Sequence, residues 1–334
     1  MSPAPKQLPV ASCAALLQRS RVDYTDALAT ELRALTAMQI MTKKWVNRRP
    51  LLSFAALTFA ITFASWGLLL FLYGRAPIDE LISQPSALLL VYLGAGGPSI
   101  AAIVLTAYTD GRPGLRALRK RFLTFRFPLL AWLAALLLPL LLASLSVAFT
   151  HPGGNALGEV VLPSNYLIIP LAAVPVFFAG PLCEELGWRG YLQPKLLTHY
   201  SPWLTAILLG TVWCFWHIPL SFTPGTTPAL NSASTWFFYW ADTILIAAIM
   251  LAIVLWANGS VIAAMLFHWM SNIAFSHIIE PMYPNATDDV WQSVATTHMI
   301  ILLIASVAAL YAVHQRLKGE VSKEKERHYG NGNR

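Results

Sequence analysis

The stretch PVFFAGPLCEELGWRGYLQPKLL, Pro175 to Leu197, decides how the chain is read. Two adjacent glutamates and an arginine stand directly behind an apolar run, where each charge is costly unless it has a partner or a purpose. The surroundings give the solvent. With 334 residues, 56% of them hydrophobic and 12% charged, and a mean hydropathy of +0.56, the chain is too apolar for an ordinary soluble domain, and a bilayer is its natural medium.

About 20 apolar residues cross the hydrocarbon core of a bilayer. Eight runs qualify, over 51–73, 86–108, 127–149, 170–195, 203–221, 235–256, 259–279 and 297–315. The fourth qualifies only if the opening stretch lies inside it. The expected fold is therefore all-α, a bundle of about eight transmembrane helices with a cavity inside the membrane.

Lysine and arginine accumulate in short cytoplasmic loops. Lys43, Lys44, Arg48 and Arg49 precede the first run, and Arg112, Arg116, Arg119, Lys120, Arg121 and Arg126 separate the second from the third. Arg189 and Lys195 lie near the end of the fourth, and Arg316, Lys318, Lys323, Lys325, Arg327 and Arg334 follow the eighth. The connections 150–169, 222–234 and 280–296 hold neither residue type, and 74–85 holds only Arg75, beside Asp79 and Glu80. The alternation places both termini in the cytoplasm of what reads as a bacterial inner-membrane protein. The net charge of +7 is thereby a topology signal, and no nucleic-acid partner is expected.

Residues 1–46 form a polar extension without the apolar core of a signal peptide. Translation is expected to begin at Met38 or Met41, a genuine cytoplasmic extension being the alternative. Residues 47–316 read as the membrane domain, with a motif core over 170–275, and 317–334 as a charged cytoplasmic tail. Cys13, Cys183 and Cys214 are too few and too scattered for a disulfide framework or a cysteine zinc site.

Ionisable groups inside spans face a bundle interior or a watery cavity. Glu184, Glu185 and Arg189 lie in the fourth run, His217 in the fifth within VWCFWHIP, and His268 and Asn272 in the seventh within FHWMSN. At 1.5 Å rise per residue, Glu184 lies roughly 16 Å from the cytoplasmic end of its run, His217 roughly 21 Å, and His268 and Asn272 roughly 14 and 20 Å. Four groups from three runs thus reach one layer, provided that the three helices are neighbours. Glu185 and Arg189 are an i, i+4 pair able to neutralise each other, while Glu184 is rotated about 100° away and is left as the free carboxylate. His268 and Asn272 are also i, i+4 and face one point. Pro181 is expected to kink the fourth helix, and Gly187 and Gly190 to permit close helix approach.

Glu184 taking a proton from water oriented by His217, with His268 and Asn272 donating to the developing oxyanion, is the arrangement of a hydrolase set in the membrane. The motifs carry a resemblance at this point. EELGWR matches EExxxR, WCFWH stands in the place of FxxxH, and HWMSN matches HxxxN, in order and on separate apolar runs. Together they resemble the CPBP family, the CAAX prenyl endopeptidases of type II and bacteriocin-processing proteins, also called Abi. The resemblance covers about 170–275, and the family's eight-helix character extends over 41–315. It implies an intramembrane CAAX-box protein-processing peptidase, with Glu184 as base, His217 as its partner, His268 and Asn272 as the oxyanion pocket, and Glu185 and Arg189 in support. One departure is Trp213, which stands where the family has phenylalanine and is expected to alter a packing contact.

Plainer readings exist for several of these residues. Glu185 with Arg189 reads as a structural ion pair, His277 as a hydrogen-bonded core histidine, and His151, His199, His298, His314 and His328 as solvated. Trp213 and Trp216 read as packing, and Cys183 and Cys214 as small apolar fillers. Glu184, His217 and His268 could hold zinc with a position open for water, which would make the protein a metalloendopeptidase. The chain has no HExxH, however, and using His268 and Asn272 for the oxyanion leaves few ligands, so the reading favours a metal-independent glutamate mechanism. A non-proteolytic scaffold or immunity protein and a proton- or metal-coupled transporter are the alternatives. The expected partners are the lipid bilayer and a peptide or protein substrate, prenylated or otherwise, such as a bacteriocin precursor or leader peptide.

Overall fold

A computed structural model describes residues 30–34, 36–150, 160–161, 169–226 and 233–330, with the backbone alone for 169–172 and 320–330. The chain divides into two units, one up to Arg49 and one from Pro50 onward. In the first, residues 36–48 are helical. Cys13, His151 and the 331–334 end of the expected tail lie outside the described residues.

The second unit is helical among its described residues. Helix α1 is Pro50–Tyr73. Helices α2 (Pro85–Ala95) and α3 (Gly97–Thr109) follow, bent by 51°. Pro98, at the start of α3, has no N–H to continue the α2 ladder, which accounts for a bend at this place. A basic amphipathic helix, α4 (Gly111–Phe122), precedes α5 (Leu129–Thr150). The fourth expected span is helical but interrupted. Helix α6 (Ile169–Ala179) ends at Gly180, whose φ of −113° and ψ of −87° leave the helical region. Helix α7 (Pro181–Glu185) then runs through a π-helical turn, Leu186–Leu192, into α8 (Gln193–Leu197).

Ser201 caps α9 (Pro202–Trp216) by accepting the Leu204 N–H, and Ser260 caps α11 (Val261–Ile273) by accepting the Ala263 N–H. Between them lies α10 (Ala233–Trp256), closed by the left-handed residues Asn258 and Gly259. Helix α11 continues as a second π turn, Ala274–Ile279, and α12 spans Asp288–Gly330. Six of these segments are long and apolar enough to cross a membrane, and the bent α2–α3 pair makes up to seven. This is the architecture of a multi-pass membrane protein. Its outward faces carry large apolar side chains such as Phe71, Leu89, Leu129 and Ile304.

Lipid gives apolar helix faces little reason to prefer each other, so close backbone approach and buried hydrogen bonds must hold the bundle. Both occur in the seam between α1 and α2. Thr62, Ser65 and Trp66 donate to the Gly94, Leu90 and Val91 carbonyls. A Cβ on Gly187 would overlap the backbone of Pro98, and one on Gly210 the backbone of Ile244, so these glycines set how closely the Leu186–Leu192 π turn meets α3 and α9 meets α10.

Candidate active site

Each helix that contributes to the site is irregular where it does so. The π turn of Leu186–Leu192 starts directly after Glu185, α9 ends at Trp216 with His217 as its C-cap, and the second π turn begins two residues after Asn272. Such single π turns interrupt the ladder and recur at functional positions. The first is held from outside. Arg121, on α4, donates to the Gly190 carbonyl at 2.8 Å. Burial there pushes the Arg121 guanidinium below its ordinary value. Lys195 pairs with Asp110 at 3.4 Å.

Glu184 and Glu185 are both buried. The Glu184 Oε2 atom accepts the Trp213 indole N–H at 2.9 Å. Its Oε1 lies 3.4 Å from the point where Gly180 would carry a Cβ, and the Asn272 Nδ2 lies 3.5 Å from that same point. The absence of a side chain at Gly180 therefore leaves a small space flanked by a carboxylate and an amide donor. Glu185 faces the other way. Its Oε1 is 2.8 Å from His268 Nδ1, and its Oε2 is 3.4 Å from Arg189. Arg189 is fully buried, donates to the Met250 sulfur at 3.0 Å, and sets its guanidinium 4.8 Å from the Trp213 ring centroid. Glu185 and Arg189 are thus an ion pair, but Glu185 also fixes His268, a contact across 83 residues that no helical spacing announces.

Trp213 joins the three motifs. Besides bonding Glu184, its ring meets His268 edge-on at 5.1 Å and lies 6.0 Å from the His217 ring, while its carbonyl is 2.9 Å from His217 Nδ1. A carbonyl only accepts, so His217 carries its proton on Nδ1 and presents a lone pair at Nε2. His268, with Nδ1–H on the Glu185 carboxylate, does likewise. Trp216 is a packing residue, fully buried against Trp66 and donating to Thr62. Sequence reasoning assigned Trp213 to that class too. The signal available was the departure from phenylalanine, which adds an N–H to a site that has a carboxylate.

Two other histidines differ from each other. His277 bonds the adjacent Ser276. His298, expected to be solvated near the end of a span, lies ten residues inside α12, because that helix begins at Asp288 rather than near 297. Its Nδ1 is 2.9 Å from the Ser146 hydroxyl.

Zinc can be tested against the donor set. Among the described residues, one trio of potential ligands falls within 4.8 Å, and it is Glu184, Glu185 and His268. His217, expected as the third ligand beside Glu184 and His268, is not in it. The trio leaves only Glu184 Oε1 and His268 Nε2 unengaged, one short of the three protein ligands of a catalytic zinc site. Glu185 Oε1 and His268 Nδ1 are engaged with each other, Glu185 Oε2 faces the Arg189 cation, and Glu184 Oε2 is bonded to Trp213.

A buried carboxylate beside a gap, an amide across that gap and two histidines around an indole make up the candidate site of this helical bundle. Residues 163–274, which include every residue of the three motifs, match the family model described as Type II CAAX prenyl endopeptidase Rce1-like. That description names the type II CAAX prenyl endopeptidases, one part of the family that the motifs resemble. Among individual proteins, the chain is similar to CAAX prenyl protease 2 of Methanococcus maripaludis, 31% identical over 137 residues. That alignment covers 39% of this chain and 49% of the relative, so the chain spans about half the length of the curated relative it matches.

Proposed function

We propose that this chain is an intramembrane endopeptidase that hydrolyses peptide bonds of membrane-associated or lipidated peptides. The observation that carries the reading is the buried Glu184 carboxylate, bonded to Trp213 through Oε2 and bordering with Oε1 the space beside Gly180 and Asn272. The Lys and Arg distribution supports cytoplasmic termini, with the site reached from within the bilayer or from that face.

In this reading Glu184 removes a proton from water, and the His217 Nε2 lone pair orients that water. The hydroxide adds to the scissile carbonyl, and the oxygen that takes up the negative charge is met by the Asn272 amide. His268, fixed by Glu185, flanks the same pocket. Glu184 then passes its proton to the leaving amine as the C–N bond breaks, which balances the hydrolysis. Glu185 and Arg189 position His268 and Trp213 and do not touch substrate. The peptide is of the kind that the relative's name suggests, prenylated near its C-terminus, or a leader or bacteriocin precursor of similar amphipathicity. No step uses a metal.

The test is cleavage of matched prenylated and unprenylated quenched-fluorescent peptides by purified protein, with and without chelator. Cleavage that survives chelation is expected, with a preference for the lipidated peptide. Loss on chelation with recovery on adding zinc overturns the metal-free mechanism, and absence of cleavage in folded protein overturns the reading as a whole.

A further inference from the structure

Beside Tyr239, whose ring lies 5.7 Å from His217, the bundle carries a half-open chamber of about 460 Å³ that the three motifs do not line. Its size falls in the range of small-molecule sites. Its walls include Phe238, Tyr239, Asp242, Phe275, Trp291 and His298. A second space of about 170 Å³ shares Asp242, Phe275 and His298 with it.

Asp242 is the one charged residue of α10. It lies nine residues from one end of that helix and fourteen from the other, so at 1.5 Å per residue its Cα is roughly 14 Å and 21 Å from the two ends. Among the described residues its carboxylate has neither a hydrogen bond nor an ion pair, and no lysine or arginine lines either space. His298 brings a second acceptor. The Ser146 hydroxyl donates to the Leu142 carbonyl at 2.6 Å and so accepts from His298 Nδ1, which leaves the Nε2 lone pair. Glu280, at the chamber wall, adds a further acidic group. Aromatic walls with acceptors and no cation have the chemistry that receives a positive charge on an apolar body.

We propose that this chamber is a binding site for an organic cation with an apolar body, its ammonium or guanidinium head set between Asp242 and His298. The aromatic walls hold the body. The site is separate from Glu184 and does not depend on the hydrolase reading. The same head group arrives on a free amphiphilic amine or on the lysine or arginine of a membrane-inserted peptide.

The experiment is titration of the full chain in zwitterionic lipid nanodiscs with 4-phenylbutylammonium and with its neutral counterpart, 4-phenylbutanol. The amine is expected to bind at least about tenfold more tightly, the factor that one charge-assisted hydrogen bond supplies. That preference is expected to vanish in Asp242→Asn and to persist in Glu184→Gln, which separates this site from the catalytic one. A leucine-rich peptide with one central lysine, set against its norleucine analogue, shows whether the head group also comes from peptide. Equal binding of amine and alcohol to wild type overturns the proposal, as does a preference unchanged in folded Asp242→Asn. If Asp242→Asn does not fold, His298→Phe takes its place. A weakened preference for the amine then supports the site and an unchanged one overturns it.

Discussion

Removing Glu185 and removing Arg189 should have unequal effects, because their remaining partners differ. Both are buried and 3.4 Å apart. In Glu185→Gln the guanidinium keeps only the Met250 sulfur and the Trp213 ring face. Stranding a buried charge in this way costs about 3–5 kcal/mol. In Arg189→Met the Glu185 carboxylate still has His268 at 2.8 Å, so the loss should stay near the about 1–3 kcal/mol of one unsatisfied partner. The double variant removes both charges and should lie closer to wild type than Glu185→Gln does, since the cost of the single change is the orphan it leaves. Equilibrium unfolding in mixed detergent micelles, followed by tryptophan fluorescence, measures all four proteins. Equal losses in the two single variants, or a double variant as unstable as the sum of both, would refute the proposed division of Glu185 between Arg189 and His268.

Other outcomes follow from the same contacts. Gly187→Ala sets a methyl into the Pro98 backbone and should destabilise the fold by about 1–3 kcal/mol, read by the same unfolding assay. Gly180→Ala places its methyl in ordinary contact with Glu184 and Asn272, so the protein should fold with near wild-type stability yet turn over more slowly. Asn272→Ala should lower kcat by about 10²-fold, the scale of one oxyanion donor, with KM little changed in a peptide-cleavage assay. Arg121→Ala frees the Gly190 carbonyl of the first π turn and should raise amide exchange over 186–192, measured by hydrogen–deuterium exchange.

Much of this molecule was visible in the sequence because charges inside apolar runs are rare. Glu184, Arg189, His217 and His268 stand out for that reason, and the i, i+4 spacing pairs Glu185 with Arg189. What escaped depends on contacts between helices. The bond from Glu185 to His268 joins segments 83 residues apart, and a tryptophan in an apolar run looks like filler until its N–H is seen to meet a carboxylate. The start of α12 was hidden by Ser293, Thr296 and Thr297, which lower the average hydropathy although each hydroxyl is satisfied by the carbonyl four residues before it. That shift took His298 from a span end into the bundle. Asp242 was legible as a lone acid in the sixth run, but it stands in no motif. The break at Gly180 and the two π turns have no periodic signature, and they are what turns Glu184 and Asn272 toward one gap.

The most direct measurement is the rate of cleavage of a lipidated peptide by wild type, Glu184→Gln and Glu184→Asp in lipid nanodiscs, each first shown to be folded. Glu184→Gln keeps the shape and an oxygen for the Trp213 N–H but removes the base, so cleavage should fall to background. Glu184→Asp keeps the base on a shorter arm and should retain a small, measurable rate. Wild-type rates in folded Glu184→Gln would contradict the assignment of Glu184 as the group that activates water.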